Sequence, residues 1–183
     1  DLISVKNINT ETYGGGIIAT ANHISQFVKK TTLISTIGTS KNNKQYLNFI
    51  DNKIDKKIFK VPSSLVIEKN RFLEVSSKRK LFQNLTNDFI RLSPKIESEI
   101  SKYLKFNLKN FDLVIVNDFG HGLLTANIRK ILQKESKFLA LNCQTNSSNV
   151  GYNFITKYKK ADYVTIDEPE ARLSSQKRFA NIK

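Results

Sequence analysis

The 183-residue chain carries 30 Lys and Arg against 16 Asp and Glu, a formal charge of +14, and 39% of its residues are apolar, including 12 Phe and 6 Tyr. That content excludes an intrinsically disordered chain and suits a folded α/β domain over 1–183. No apolar run approaches the roughly 20 residues that span a bilayer, no basic-then-apolar leader opens the sequence, and the single Cys143 excludes an internal disulfide, so a soluble cytoplasmic protein is expected.

The positive charge is scattered in short groups: Lys29-Lys30, Lys56-Lys57, Lys78-Arg79-Lys80, Lys157 and Lys159-Lys160. No basic tail and no nucleic-acid motif accompanies them. The expectation is a lysine-rich solvated surface, with a polyanion site as the alternative. Methionine is absent, so residue 1 is not expected to be a translation start and the chain is expected to be partial or processed.

In chain order, Gly14-Gly15-Gly16 leads into a helix predicted over Ile17–Val28, followed by a strand over Thr31–Ser35. Residues 54–83 then read as a β excursion without helices, with short strands at Lys57–Val61, Ser64–Ile67, Arg71–Ser76 and Lys80–Gln83. Beyond residue 90 the order is helix Pro94–Lys109, strand Asp112–Asn117, helix Thr125–Lys134, strand Phe138–Asn142, a loop, strand Asp162–Ile166, and a helix from near Glu168. The strands are short apolar runs, as expected where a parallel sheet is covered on both faces.

Four places offer chemistry. Gly14 and Gly15 lack a Cβ just before a helix N-terminus, which suits close approach to a polar ligand, although a glycine triplet is also an ordinary turn. Asp118 follows an apolar strand within Asn117-Asp118-Phe119-Gly120-His121-Gly122, beyond a strand's C-terminal end, where open parallel sheets collect ligands; the alternative is a loop carboxylate capping the next helix. Asp167 and Glu170, three apart at a helix start, suit Mg²⁺ held through its water shell or, alternatively, helix capping and dipole compensation. Lys69 and Arg71 alternate along a strand and share one face, as phosphate ligands or as its wet side.

Taken in order, these segments resemble the PfkB (ribokinase-like) carbohydrate kinases, closest to the heptose-phosphate kinase half of bifunctional ADP-heptose synthase-type proteins. GGGIIATANHISQFVKKTTLISTIG is similar to the family's sugar-binding turn, helix and strand, and KNRFLEV to its lid strand. VIVNDFGHGLLT resembles the Ser-Asp-Tyr-Gly-Lys-Gly loop, and ADYVTIDEPEARL falls where the family has Asn-x-x-Glu. The resemblance implies an incomplete three-layer α/β sandwich with a mostly parallel sheet and a small β lid at about 54–83. It implies a sugar or sugar-phosphate substrate at Gly14, Gly15, Asp118, Lys69 and Arg71, ATP and Mg²⁺ as cofactors with Asp167 and Glu170 at the metal, and a homodimer through the lid. It also implies that Gly14, Asp118 and Glu170 share one rim of the sheet.

The departures matter equally. Ile18 stands near the place of a sugar-binding asparagine, His121 replaces a lysine, Asn142-Cys143-Gln144 replaces Asp-Pro-Lys, and Asp167 replaces the motif's asparagine. All seven glycines lie at or before Gly151 and no aspartate follows Asp167, so the family's glycine-rich anion hole and catalytic aspartate are expected outside this chain and no residue here is assigned as catalytic. The leading expectation is a fragment of an ATP-dependent sugar or sugar-phosphate kinase, fused in its parent to a nucleotidyltransferase. The alternatives are a noncatalytic sugar-binding or scaffold module and, less favoured, a basic nucleic-acid-binding domain.

Overall fold

A computed structural model describes residues 4–39, 44–62, 64–87, 89–179 and 181. The helices are α1 (Gly16–Ile24), α2 (Lys44–Leu47), α3 (Pro94–Asn107), α4 (Ala126–Glu135) and α5 (Glu168–Ser175). The strands are β1 (Thr32–Gly38), β2 (Asp55–Val61), β3 (Lys69–Leu73), β4 (Lys80–Leu85), β5 (Val114–Asp118), β6 (Leu139–Cys143) and β7 (Tyr163–Thr165). Among the described residues they form three sheets, β1–β2, β3–β4 and β5–β6–β7, and the chain divides into two compact units, 1–34 with 42–57 and 35–41 with 58–183.

In the first unit α1 begins where the glycine run lets extended backbone turn into helix. Gly15 is the N-cap (φ −65°, ψ 175°), and its carbonyl accepts the Ile18 and Ala19 N–H groups at 2.9 and 3.0 Å. Ile17, Ile18 and Ala21 place one apolar stripe on Leu33, Ile50 and Ile54, with Leu47 beside them. Asn22 locks the packing: its Nδ2 donates to the Phe49 carbonyl at 2.8 Å and its Oδ1 accepts the Asp51 N–H at 3.0 Å. The helix stops at Ile24, short of the expected Val28. There the Ser25 hydroxyl takes the Asn22 carbonyl at 2.8 Å, and the next N–H groups bond three residues back, as turns do.

The second unit holds the parallel sheet. β5 pairs with β6 and β6 with β7, all parallel, so the predicted order helix, strand, helix, strand, strand, helix is the order found. α3 starts on a Ser93 cap followed by Pro94 and buries Ile96, Ile100, Ser101 and Leu104. α4 starts on a Thr125 cap and buries Ile128, Ile131 and Leu132. The two helices are cross-tied where Thr125 Oγ1 donates to Glu97 Oε1 at 2.5 Å and Asn127 Nδ2 to Ser101 Oγ at 3.0 Å.

Covered strands were expected throughout. β5 and β6 are buried or half-buried along their length, but β7 is exposed at every residue, Tyr163 by 58%. It is the edge strand, bonded to β6 alone among the described residues, and three residues with a partner on one side cannot be enclosed.

The excursion at 54–83 is β as expected, with two differences. Ser64–Ile67 forms no strand: its backbone lies against β1, where a Cβ on Gly38 would meet Ser64 O at 2.1 Å, and the Leu65 carbonyl is taken by Asn87 Nδ2 at 3.2 Å rather than by a ladder. The strand from Arg71 ends at Leu73 instead of Ser76, because a bulge falls between Phe72 and Leu73 and the chain turns through Lys78 at φ +56°. β3 and β4 pair antiparallel as a separate two-stranded sheet, with Phe72 opposite Phe82. Among the described residues no helix is long and apolar enough to cross a membrane.

Candidate functional site

The C-terminal ends of β5 and β6 carry a dense polar network. Asp118 closes β5 with 2% of its surface exposed, so its carboxylate must be compensated from within. Oδ1 accepts the Gly120 N–H at 2.9 Å, and Oδ2 accepts the Tyr158 hydroxyl and the Lys157 ammonium, each at 2.6 Å. Its main-chain carbonyl accepts Gln144 N–H at 2.8 Å and Asn153 Nδ2 at 3.0 Å.

Asparagines do the stapling. Asn153, buried, also donates Nδ2 to the Gln144 carbonyl at 2.9 Å and accepts the Lys157 ammonium at Oδ1. Asn146 and Asn149 each donate to the Phe119 carbonyl at 2.9 Å. Above Gly120, at φ +74°, an added Cβ would lie 2.3 Å from Asn149 Nδ2. Above Gly122, at φ +96°, it would lie 2.1 Å from the Ile90 carbonyl. The two loop glycines thus admit neighbouring chain segments, and the middle of the loop is pinned where Ile90 N–H bonds the His121 carbonyl at 2.9 Å. The His121 ring sits 6.2 Å from that of Phe119.

Glu170 joins the same rim. Its Oε1 accepts Thr145 N–H at 2.8 Å and its Oε2 accepts Asp167 N–H at 3.3 Å, while Asp167 Oδ1 accepts Glu170 N–H at 2.8 Å. That is a full capping box at the start of α5. Consecutive exit residues of β6, Gln144 and Thr145, are therefore held by the end of β5 on one side and by α5 on the other. Three of the four carboxylate oxygens accept protein N–H groups and Glu170 is buried. Inner-shell coordination of Mg²⁺, which favours octahedral oxygen ligands and keeps its waters, does not fit this pair. Of the two, Asp167 is exposed. Among the described residues no group of three His, Cys, Asp or Glu side chains is arranged to hold a metal.

Burial sets the electrostatics around Asp118. It pushes the Cys143 thiol up to about 12, with the Asp118 charge adding to the shift. Tyr158 is raised for the same two reasons, burial first. The Lys157 ammonium and the Arg129 guanidinium each lie over its ring, 5.7 and 5.9 Å from the centroid. On β3, Lys69 is half-buried and its ammonium is lowered, first by that burial and then by Arg71. Neither cation makes an ion pair among the described residues.

Gly14 and Gly15 belong to the first unit. A Cβ on Gly14 would meet Ile18 Cγ2 at 2.7 Å, so that glycine serves helix packing, whereas nothing lies within 4 Å of a Cβ on Gly15. Lys157, Tyr158, Asn153 and Thr145 were not anticipated. The recurrent asparagines of Asn142–Asn153 were the available signal, since asparagine side chains habitually bind loop backbone.

A parallel sheet with helices following its strands and a separate β hairpin is consistent with a ribokinase-like α/β fold. Among solved structures the chain is similar to one described as a possible 1-phosphofructokinase from Thermotoga maritima, at a TM-score of 0.63 and 14% identity over 78% of this chain. The match spans about half of that protein, 47% of its length. No family model matches the sequence, and no curated protein does.

Proposed function

We propose that this chain is the substrate-side part of an ATP-dependent sugar or sugar-phosphate kinase. The observation that carries the reading is the Lys69–Arg71 cation pair on the hairpin of a sugar-kinase fold. The two side chains are two residues apart on one strand and so share a face. Like charges with no counter-ion among the described residues favour an anion, and a guanidinium beside an ammonium suits a phosphate group. Gly15 supports the same reading, because its open approach lies at the N-terminus of a nine-residue helix.

Asp118 acts in this reading by fixing the loop that borders the ligand. Asp167 reaches Mg²⁺ through water, Glu170 orients Asp167, and neutralising phosphoryl charge is the chemistry the ion supplies. The catalytic aspartate and the ATP-binding residues are assigned to the rest of a parent protein. A heptose phosphate as substrate and a fused nucleotidyltransferase are narrower proposals resting on the motif resemblance. The opposite face of the hairpin, with Phe72 and Phe82 stacked at 4.3 Å and both exposed, supports a homodimer through the lid.

Titration of the chain with D-fructose 1-phosphate, heptose phosphates and inorganic phosphate, followed by NMR at the Lys69 and Arg71 side chains, tests the site. The complete parent protein is assayed for ADP release. Saturable shifts with a sugar phosphate together with ADP release support the kinase; a folded chain that responds to none of the sugar phosphates sinks it. The internal commitment of Asp118 favours a second reading, a noncatalytic sugar-binding module, for which binding without ADP release is the signature.

A further inference from the structure

A buried carboxylate with three donors poses the question of which donor decides the loop's conformation. The Gly120 N–H comes from the loop itself and moves with it. The Tyr158 hydroxyl is neutral. Lys157 supplies the positive charge in contact with Asp118, at 2.6 Å, and at 22% side-chain exposure it remains reachable from solvent while Asp118 does not. The same ammonium bonds Asn153 Oδ1, whose amide holds the Asp118 and Gln144 carbonyls. One cation therefore couples the side chain of Asp118 to its main chain and to the neighbouring strand. The far end of the loop is tied to the same cluster, since Arg129, which lies over the Tyr158 ring, donates Nη1 to the Leu124 carbonyl at 2.6 Å.

We propose that Lys157 is the positioning residue of the Asp118–Leu124 loop: it holds the loop in the single form that borders the ligand without itself being part of the chemistry. The proposal deepens the kinase reading, because it takes this loop to be the substrate side. The physical reason is the asymmetry of buried charge. Removing the cation strands the carboxylate, whereas removing both charges leaves a neutral amide that Tyr158 and Gly120 still satisfy.

The test uses the 183-residue chain with Lys157→Met, Lys157→Arg and the double variant Asp118→Asn/Lys157→Met. Three quantities are read: hydrogen exchange at the Gly120 amide relative to amides of α1, the thermal midpoint, and the affinity for D-fructose 1-phosphate. For Lys157→Met, Gly120 exchange rises about tenfold or more and sugar-phosphate affinity falls by a similar factor, as loss of one charge-assisted bond implies, while α1 is unchanged. Lys157→Arg restores both, which loss of packing volume alone does not explain. The double variant regains the thermal midpoint lost by Lys157→Met, and it decides the matter if the single variant fails to fold.

Wild-type exchange at Gly120 in Lys157→Met, or a double variant no more stable than the single, overturns the proposal. Absence of fructose 1-phosphate binding by the unaltered chain counts against the substrate reading instead, and the Gly120 exchange still decides the role of Lys157.

Discussion

Glu170 Oε1 accepts the main-chain N–H of Thr145 at 2.8 Å, tying the helix that follows β7 to the exit of β6. A carboxylate at a helix start that also satisfies a donor on a neighbouring strand does two structural tasks at once. It fixes the first turn of α5, and it prevents Thr145 N–H from being left without an acceptor.

Glu170→Ala removes both. The lost bond and cap together amount to roughly 2–3 kcal/mol, which in a chain of this size lowers the thermal midpoint by about 5–10 °C. Glu170→Gln keeps one acceptor and loses about half as much. Thermal denaturation followed by circular dichroism distinguishes them, and equal midpoints for alanine variant and parent contradict the assignment.

The glycines separate by what surrounds them. Gly122→Ala forces a left-handed residue against the Ile90 carbonyl, so a loss of about 3 kcal/mol or more is expected from strain and overpacking combined. Gly15→Ala meets open space and costs no more than about 1 kcal/mol as a poorer N-cap. Chemical denaturation of the two variants side by side measures the contrast, and under the kinase reading Gly15→Ala weakens sugar-phosphate binding out of proportion to its stability.

The Lys69 ammonium sits below its usual range because of burial first and Arg71 second. Arg71→Gln therefore raises its titration point part of the way back toward 10.5, never fully. Because the folded form holds its proton less tightly than the unfolded chain, this lysine's contribution to stability grows as pH climbs through the lowered value toward 10.5. A bound phosphate reverses the shift and takes up protons in that window. NMR of the Lys69 ε-carbon across the alkaline range reads both effects.

Cys143 should be chemically silent. With its thiol raised from 9.0 to about 12 by burial and the Asp118 charge, almost no thiolate exists near neutrality. A disulfide reagent such as DTNB is expected to label it only after unfolding. The unfolded thiol ionises near 9 while the folded one stays protonated until about 12, so this group's contribution is intact below 9 and lost as pH rises between the two. Tyr158, raised likewise, adds loss of the same sign in alkali.

The stacked Phe72–Phe82 pair predicts self-association. A two-stranded hairpin with exposed aromatics gains stability by covering them. Phe72→Ser/Phe82→Ser is expected to convert a dimer to a monomer in sedimentation analysis without altering Lys69 or Arg71. A parent chain monomeric at high micromolar concentration contradicts the lid dimer.

Element order was legible because its causes are local. Val114–Val116 and Leu139–Leu141 announce themselves as short buried strands, and Ser93-Pro94, Thr125 and Asp167 with Glu170 are caps whose bonds run three residues along the chain. What the linear order could not disclose was the fate of charge and surface. Lys157 and Tyr158 reach Asp118 across some 40 positions, and a lysine in a loop looks solvated until the fold sets a buried carboxylate beside it. β7 reads like β5 and β6, yet its place at the sheet edge leaves it bare. Hydrogen-bonding periodicity and capping are short-range properties that residue types carry with them. Burial and charge compensation depend on which distant segments meet, and only the tertiary structure decides that.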